Sequence, residues 1–242
     1  MIMTDLTKLK VKLFADGADL LGIAEMAANP LIKGFTTNPT LMRKAGVADY
    51  QAFALEALKL VGDRPISFEV FADDFSGMLK QAREISSWGS NVFVKIPVTN
   101  TSGRFSGQLI SKLSKEGIRL NITAVMTIKQ VKLILTYLAT GIPAIISVFA
   151  GRIADTGVDP VPHMGQALKV VRGRPNTELL WASPRELLNV LQADSIGCDI
   201  ITATNDILKK LSLVGKNLDD YSLETVQMFY DDAQAAGYSI KT

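Results

Sequence analysis

The sequence predicts an α/β fold, a (β/α)8 barrel of the TIM type with an additional C-terminal helix. Short apolar runs recur at intervals of roughly 20 to 35 residues, and segments with helical spacing separate them. The runs are continuously apolar rather than alternating, which is typical of strands buried on both faces of a parallel sheet. Eight strand–helix units within 242 residues favour a closed barrel over an open doubly wound sheet.

Eight apolar runs are the predicted strands. In chain order they are VKLFAD (11–16), GFTTN (34–38), PISFEV (65–70), NVFVKIP (91–97), IRLNIT (118–123), AIISVF (144–149), ELLWAS (178–183) and DIITAT (199–204). The segments between them predict helices, of which the clearest are residues 73–87, 106–116, 127–140 and 184–195. Several of these begin with Asp, Ser, Thr or Pro, which favour a helix start.

One further amphipathic helix is predicted at residues 222–236, beyond the eighth unit. We expect residues 1–242 to form a single barrel domain, with residues 213–242 as its C-terminal helical extension. Two interpretations of the extra helix stand: it caps its own barrel, or it packs on a neighbouring subunit.

The composition is that of a globular protein, with 48% hydrophobic and 21% charged residues. The formal charge of +2 is too balanced to indicate a nucleic acid or an anionic membrane as the main partner. A single cysteine and a single histidine exclude disulfide frameworks and zinc sites built from several such ligands. We expect no metal site, and acid–base chemistry must use carboxylates, lysine, hydroxyls or water.

The N-terminal segment lacks the apolar core of a secretory signal, so a cytoplasmic location is expected. Residues 133–151 carry no charge and approach the length of a membrane span. Gly141 and Pro143 interrupt this stretch, so we predict a helix, a turn and a buried strand there instead.

Polar side chains occur near the C-terminal end of every predicted strand. They are Asp16, Asn38, Glu69, Lys95, Asn121 with Thr123, Ser147, Ser183, and Thr202 with Thr204. Active sites of such barrels lie at that end, so we expect these side chains to converge on one mouth.

Lys95 lies inside the apolar run VFVKIP, where burial disfavours its charged form. A neutral amine there is a nucleophile that forms Schiff bases with carbonyl groups. The alternative is a structural lysine whose ammonium reaches water or a carboxylate. Asp16 and Glu69 are the natural proton carriers for such chemistry, although either could instead pair with Lys95 or cap a loop. Asn121 and Thr123 share a strand face and suit sugar hydroxyls or a catalytic water.

Arg152 and Arg185 follow the ends of the sixth and seventh predicted strands. An arginine beside the backbone amides of a helix start suits a phosphate dianion, and the turn after the seventh strand often binds phosphate in these barrels. Salt bridges along the rim are the alternative.

Five segments resemble, in their order and spacing, the transaldolases, particularly the short bacterial type: GFTTNPTL, NVFVKIP, RLNITAV, SVFAGRIAD and LLWASPRE. The resemblance covers nearly the whole chain. It implies a class I, Schiff-base barrel enzyme of the pentose phosphate type that needs no metal or cofactor. Such an enzyme moves a dihydroxyacetone unit from fructose 6-phosphate or sedoheptulose 7-phosphate to erythrose 4-phosphate or glyceraldehyde 3-phosphate.

The resemblance also implies roles for single residues. Lys95 matches the Schiff-base lysine, and Asp16 matches the acid–base residue at carbon–carbon cleavage. Glu69 and Thr123 match the pair that holds the catalytic water. The matches to groups that bind substrate hydroxyls are Asn38, Asn121 and Ser147, and those to the phosphate site are Arg152, Ser183 and Arg185.

Phe149 bears on whether the dihydroxyacetone unit is transferred or released. The same family includes fructose-6-phosphate aldolases, in which a glutamine resembles Glu69 in position and a tyrosine stands where this chain has Phe149. A tyrosine hydroxyl beside the water would help to hydrolyse the intermediate, so Phe149 favours transfer. The aldolase, and a phosphosugar-binding barrel without turnover, are the alternatives. The short chain further implies a homo-oligomer, a pentamer or decamer, as in short relatives.

Overall fold

Eight parallel strands close into one barrel in chain order in the computed structural model, which describes residues 6–241. The strands are β1 (Lys12–Asp16), β2 (Ile32–Thr36), β3 (Ile66–Glu69), β4 (Val92–Pro97), β5 (Leu120–Val125), β6 (Ala144–Val148), β7 (Thr177–Trp181) and β8 (Ile200–Thr204). The first and last strands close the barrel, paired from Lys12 with Ile200 to Asp16 with Thr204. The predicted (β/α)8 barrel is confirmed.

Helices surround this barrel, and two short 3-10 segments lie at Leu6–Lys8 and Lys210–Leu213. The helices are α1 (Leu20–Ala28), α2 (Pro39–Lys44), α3 (Tyr50–Val61), α4 (Phe75–Ser87), α5 (Gly107–Lys115), α6 (Ile128–Tyr137), α7 (Ala150–Ala154), α8 (Pro160–Val171), α9 (Leu188–Ser195), α10 (Asn205–Lys209) and α11 (Leu218–Ala235). An Asp, Asn or Thr side chain accepts an amide N–H at the start of α1 to α4, α6 and α8. These residue types fix the helix starts because they satisfy amides that the helix leaves unpaired.

The floor of the barrel is apolar and lies beneath the polar ends of its strands. Its buried cluster consists of Phe14, Phe93, Ile145, Leu180, Ala182 and Ile200, with Phe149 packed against it. Gly34 makes room for this floor, since a Cβ atom there would lie 2.4 Å from Cζ of Phe14. Strand side chains alternate in direction, so the residues two positions after Phe14 and Phe93 point into the same interior. Those residues are Asp16 and Lys95.

Some predicted boundaries are wrong by a few residues. β2 begins at Ile32 and ends at Thr36, because Asn38 already caps α2 by accepting from the amide of Leu41 at 3.0 Å. β7 ends at Trp181 because Ser183 adopts a left-handed backbone with φ of 56°. α9 begins at Leu188 rather than at residue 184.

The uncharged stretch at residues 133–151 divides as predicted into the end of α6, a turn and the buried strand β6. Within residues 6–241, every helix is too short or too polar to cross a membrane.

The C-terminal helix α11 starts four residues earlier than predicted and lies on the surface. Asn217 caps it by accepting from the amides of Asp219 and Asp220. None of its residues is buried. Its large apolar side chains are exposed, including Leu223 at 68% and Phe229 at 63%. The interpretation that this helix caps its own barrel is therefore wrong.

Candidate active site

A cavity of about 500 Å³ opens at the C-terminal end of the barrel strands. Ten of the eleven residues predicted for the site line it: Asp16, Asn38, Glu69, Lys95, Thr123, Ser147, Phe149, Arg152, Ser183 and Arg185. Asn121, the eleventh, is fully buried just below and reaches the cavity through Ser147. The strand ends bring these residues together although the chain separates them by up to 169 positions, from Asp16 to Arg185.

Lys95 lines this cavity and is only 6% exposed. Its Nζ donates to the carbonyl oxygen of Thr37 at 2.8 Å and lies 3.4 Å from Oε2 of Glu69. Lys95 and Glu69 are register partners on adjacent strands, so the sheet itself sets their separation. A buried amine beside a carboxylate has an immediate partner for proton exchange.

Asp16 accepts hydrogen bonds from two neighbouring side chains. Thr36 donates from Oγ1 to Oδ1 at 2.7 Å, and Asn38 donates from Nδ2 to Oδ2 at 3.3 Å. The hydroxyl of Thr36 also lies 2.6 Å from that of Thr202, which therefore donates to it while Thr36 donates to Asp16. Burial raises the pKa of Asp16 above its ordinary value, against the opposing effects of Lys95, Thr36 and Asn38. Asp16 is thus a carboxyl group suited to accept a proton.

Asn121 belongs to a buried chain of polar side chains beside Lys95. Its Nδ2 donates to Oγ of Ser67 at 3.0 Å, and its Oδ1 accepts from Oγ of Ser147 at 2.6 Å. Asn121 is the register partner of Lys95 on β5. This chain fixes the direction of the Ser147 hydroxyl, which lines the cavity.

Thr123 lines the cavity where β5 becomes irregular. The pairing of β5 with β6 shifts between Ile122 and Val125, and Ala124 has a left-handed φ of 60°. Thr123 is 2% exposed, and within the described part of the chain its Oγ1 has no hydrogen-bond partner. A buried hydroxyl of this kind needs a partner from solvent or from a ligand.

Two arginines line the side of the cavity formed by the ends of β6 and β7. The guanidinium group of Arg152, on α7, lies 5.8 Å from the centre of the Phe149 ring. Arg185 forms a two-pronged ion pair with Asp155, which lowers the pKa of that carboxyl group. Both arginines line the cavity and supply charge for an anionic substrate.

The backbone near Arg185 is arranged differently from the expected helix start. Oδ1 of Asn189 accepts from the amides of Arg185 and Glu186, so those amides are not free for a phosphate. A phosphate would instead meet the arginine side chains and Ser183, which also lines the cavity. Gly151 allows this close packing, because a Cβ atom there would lie 1.5 Å from the carbonyl oxygen of Ser183.

The site includes residues that were missed in the predicted set. Thr36 and Lys44 line the cavity, and Ser67 supports Asn121 from below. Ser67 lies two residues before Glu69 in the apolar segment ISFE, so the two side chains share a strand face. A polar residue at that position could have identified Ser67 from the sequence. Lys44 belongs to α2, outside the strand ends, and no strand pattern indicates it.

Comparison with known proteins gives consistent matches. The family model described as transaldolase/fructose-6-phosphate aldolase matches residues 13–240. A protein of Dehalococcoides mccartyi named a probable transaldolase is 35% identical over 202 residues, which cover 83% of this chain and 90% of that protein. A probable transaldolase of a Thermoanaerobacter species is 34% identical over 231 residues, covering 95% of this chain and 100% of that protein.

Solved structures share the architecture at low sequence identity. Dihydrodipicolinate synthase from Rhodopseudomonas palustris superposes with a TM-score of 0.58 and 14% identity, over 92% of this chain and 79% of that one. A 2,3-dimethylmalate lyase superposes with a TM-score of 0.54 and 11% identity, over 96% of this chain and 86% of that one. At such identities the similarity supports the barrel fold alone.

Proposed function

Since the chain belongs to the transaldolase/fructose-6-phosphate aldolase family, we propose that it is a transaldolase working through a Schiff base on Lys95. Its donors are fructose 6-phosphate or sedoheptulose 7-phosphate, and its acceptors are erythrose 4-phosphate or glyceraldehyde 3-phosphate. The unit transferred is dihydroxyacetone, and the reaction belongs to the sugar phosphate interconversions of the pentose phosphate type.

The observation that carries this proposal is the environment of Lys95. Its amine is buried 3.4 Å from the carboxylate of Glu69, and Lys95 and Asp16 line the same cavity. A purely structural lysine could also pair with Glu69, but it would not require a second carboxyl group held by Thr36 and Asn38. One amine and two carboxyl groups are the set that Schiff-base formation and carbon–carbon cleavage need.

The reaction begins at the ketone of the donor. The Nζ of Lys95 first passes a proton to the carboxylate of Glu69, and the neutral amine then attacks C2. A second proton moves from the nitrogen to the C2 oxygen, which gives a carbinolamine beside a protonated Glu69. Protonation of the C2 hydroxyl by Glu69, directly or through a water held by Thr123, lets it leave as water. The product is a protonated imine between Lys95 and C2, and its positive charge attracts electrons from the adjacent carbon.

Asp16 then carries the proton transfer at carbon–carbon cleavage. Its carboxylate takes the proton of the C4 hydroxyl, the C3–C4 bond breaks, and that electron pair moves into the imine to form an enamine. The aldose phosphate leaves with C4 as its aldehyde carbon. With the acceptor, the enamine carbon attacks the new aldehyde, and Asp16 returns the proton to its oxygen. Addition of water at C2 then releases the new ketose phosphate from Lys95.

Phe149 supports transfer rather than release of dihydroxyacetone. It lines the cavity, packs against the apolar floor and offers no hydroxyl to a water near the enamine. The enamine therefore persists until an aldehyde binds. Glu69 supports the same conclusion, because the resemblance to the family implies a glutamine at this position in the fructose-6-phosphate aldolases.

Phosphate binding falls to Arg152, Ser183 and Arg185 in this proposal, while Asn38, Asn121 and Ser147 orient the hydroxyls of the bound unit. All lie at or just below the wall of the cavity.

We also propose that the protein is a homo-oligomer, a pentamer or decamer, in which α11 packs on a neighbouring copy. The helix has no buried residue, yet it exposes Leu223, Val226, Phe229 and Tyr230 by 60% or more. Contiguous exposed apolar side chains of this size are typical of an interface. Light scattering coupled to size exclusion tests this: Phe229→Glu should lower the measured mass, and an unchanged mass would contradict the proposal.

The function is tested by trapping the intermediate. The protein is reduced with borohydride in the presence of fructose 6-phosphate, with and without erythrose 4-phosphate, and analysed by peptide mass spectrometry. We expect a dihydroxyacetone-sized adduct on Lys95 that declines when the acceptor is added. Lys59→Ala, which removes an exposed lysine paired with Glu56, is the matched control and should retain the adduct. Failure to find an adduct on any lysine would contradict the proposed function.

A further inference from the structure

The strands β2 and β3 separate just below the cavity. Their register contains two pairs, Phe35 with Ile66 and Thr36 with Ser67. The last backbone bond between them runs from the amide of Thr37 to the carbonyl of Ser67 at 3.2 Å. Beyond this point the chain turns into α2, which Asn38 caps. β3 therefore continues to Glu69 without β2 beside it.

Glu69 would be left with open backbone groups at this separation. Alternate residues of a strand direct their N–H and C=O groups to the same neighbour, so Glu69, like Ser67, faces the side that β2 has left. The other side is occupied by β4, where the amide of Val70 donates to the carbonyl of Lys95 at 3.2 Å. Buried backbone groups without partners are costly, so a substitute for β2 is needed there.

Tyr50 supplies that substitute with its hydroxyl group. The amide of Glu69 donates to Oη of Tyr50 at 2.8 Å, and Oη donates to the carbonyl oxygen of Glu69 at 3.0 Å. One side chain thus satisfies both backbone groups of a single residue. Burial raises the pKa of Tyr50, so the hydroxyl keeps the proton that it donates.

The ring of Tyr50 is itself held by an aromatic cluster. Its centroid lies 6.1 Å from that of Phe68, 4.5 Å from that of Phe71 and 5.5 Å from that of Trp88. These rings restrict Tyr50 to the position from which its hydroxyl meets Glu69. The first residue of α3 is thereby connected to the end of β3.

We propose that Tyr50 is a positioning residue, which takes the place of a β2 residue and holds Glu69 in register so that its carboxylate faces Lys95. The inference rests on the proposed function, in which Glu69 exchanges protons with the imine and its water. Tyr50 does not line the cavity described above and acts only through Glu69. Loss of its hydroxyl should let the end of β3 shift, which changes the separation of the Glu69 carboxylate from Nζ of Lys95.

The test compares Tyr50→Phe with Tyr137→Phe. Both changes remove one hydroxyl from a half-buried ring, and Tyr137 packs edge to face on Phe105 at 5.4 Å. For Tyr50→Phe we expect kcat to fall about ten- to a hundredfold, since a small misplacement of a reacting group is costly. The KM for fructose 6-phosphate should change by less than about twofold, because the phosphate site is untouched. Tyr137→Phe should leave both constants unchanged.

A double-mutant cycle with Glu69→Gln distinguishes positioning from general destabilisation. Once Glu69→Gln has removed the carboxylate, adding Tyr50→Phe should lower kcat by less than about twofold. If the full loss persists in that background, the inference is overturned while the proposed function stands. If Glu69→Gln alone leaves kcat unchanged, the proposed role of Glu69 fails and the inference fails with it.

A measurement on the unaltered protein makes the test independent of how well the variant folds. The amide of Glu69 should exchange its hydrogen about as slowly as that of Ser67, because its bond to Oη of Tyr50 replaces the strand pairing that Ser67 has with β2. Rapid exchange at Glu69 beside slow exchange at Ser67 would overturn the inference.

Discussion

Arg185 donates from Nε and Nη2 to the two carboxylate oxygens of Asp155 at the mouth of the cavity, with Nε 2.8 Å from Oδ1. Both side chains are half exposed. Asp155 therefore orients the guanidinium group before any substrate arrives, and donors not used by Asp155 are left for a phosphate. Arg152, on α7, lies over the ring of Phe149 and lines the same cavity.

Replacing Arg185 by alanine should raise the KM for phosphorylated sugars by roughly ten- to a hundredfold, the usual effect of losing charged hydrogen bonds. The kcat should change much less, because the contact is made equally in the ground state and the transition state. Steady-state kinetics with fructose 6-phosphate measure both constants. Arg83→Ala is the matched control, since Arg83 forms a similar two-pronged pair with Glu116 on the surface. Equal effects of the two changes would argue against a phosphate site at Arg185.

Lys95→Ala should lower kcat by at least about a thousandfold, because no other group can form the covalent intermediate. The reaction is followed by coupled detection of glyceraldehyde 3-phosphate released from fructose 6-phosphate in the presence of erythrose 4-phosphate. Binding of the phosphorylated sugar should persist, since Arg152 and Arg185 are unchanged. A Lys95→Ala variant with substantial turnover would rule out the Schiff base on this residue.

The proposed role of Asp16 predicts that activity is lost as the pH falls. Because it must be ionised to take the C4 hydroxyl proton, activity falls as pH decreases through its pKa. Burial raises that pKa, so the decline should begin at a higher pH than the value of about 4 for an ordinary carboxyl group. The profile of kcat/KM against pH measures this limit.

Asp16→Asn should lower kcat by about a hundred- to ten-thousandfold while the imine with Lys95 still forms. An Asp16→Asn variant that cleaves the donor normally would contradict the assignment.

Phe149→Tyr should increase the release of free dihydroxyacetone relative to its transfer. The added hydroxyl would enter the cavity that Thr123 also lines, where Oγ1 of Thr123 is an unpaired buried hydroxyl among the described residues. A water between the two hydroxyls would be held ready to protonate and hydrolyse the intermediate. Dihydroxyacetone is quantified after incubation with fructose 6-phosphate alone. Unchanged partition between release and transfer would show that Phe149 does not control the fate of the enamine.

The barrel and the location of its cavity could be predicted because both depend on short-range patterns. Strand and helix periods follow from local side-chain spacing, and polar residues at the ends of parallel apolar strands mostly point to a common mouth. Thr204 is the exception among those predicted, since it lines a neighbouring cavity instead. Lys95, Glu69 and Asp16 were found in this way. Their chemical roles came from the resemblance to a family, since position alone is compatible with a structural pair.

Contacts between distant parts of the chain could not be predicted in the same way. Nothing near Arg185 indicates that Asp155 will orient it, because the pairing depends on how two loops meet. Tyr50 lies in a helix and follows no polar strand end, so its bonds to Glu69 become visible only when β2 and β3 are seen to separate. The exposure of α11 is likewise a property of the assembled fold, since an amphipathic pattern does not say which surface a helix will cover.

The close packing at Gly151 predicts that one substitution there lowers the stability of the barrel and also weakens phosphate binding. In Gly151→Ala the new Cβ atom would lie 1.5 Å from the carbonyl oxygen of Ser183, so the turn after β7 or the start of α7 must move. We expect a loss of about 3 kcal/mol in the free energy of unfolding and a Tm lowered by roughly 10 °C. Because Arg152 follows Gly151 directly, the KM for phosphorylated sugars should rise as well.

Gly165→Ala on α8 is the matched control, since a Cβ atom there meets nothing within 4 Å. It should stabilise the helix by about 0.5 to 1 kcal/mol. Thermal melting that is equal for Gly151→Ala and the unaltered protein would mean that the two turns do not approach so closely.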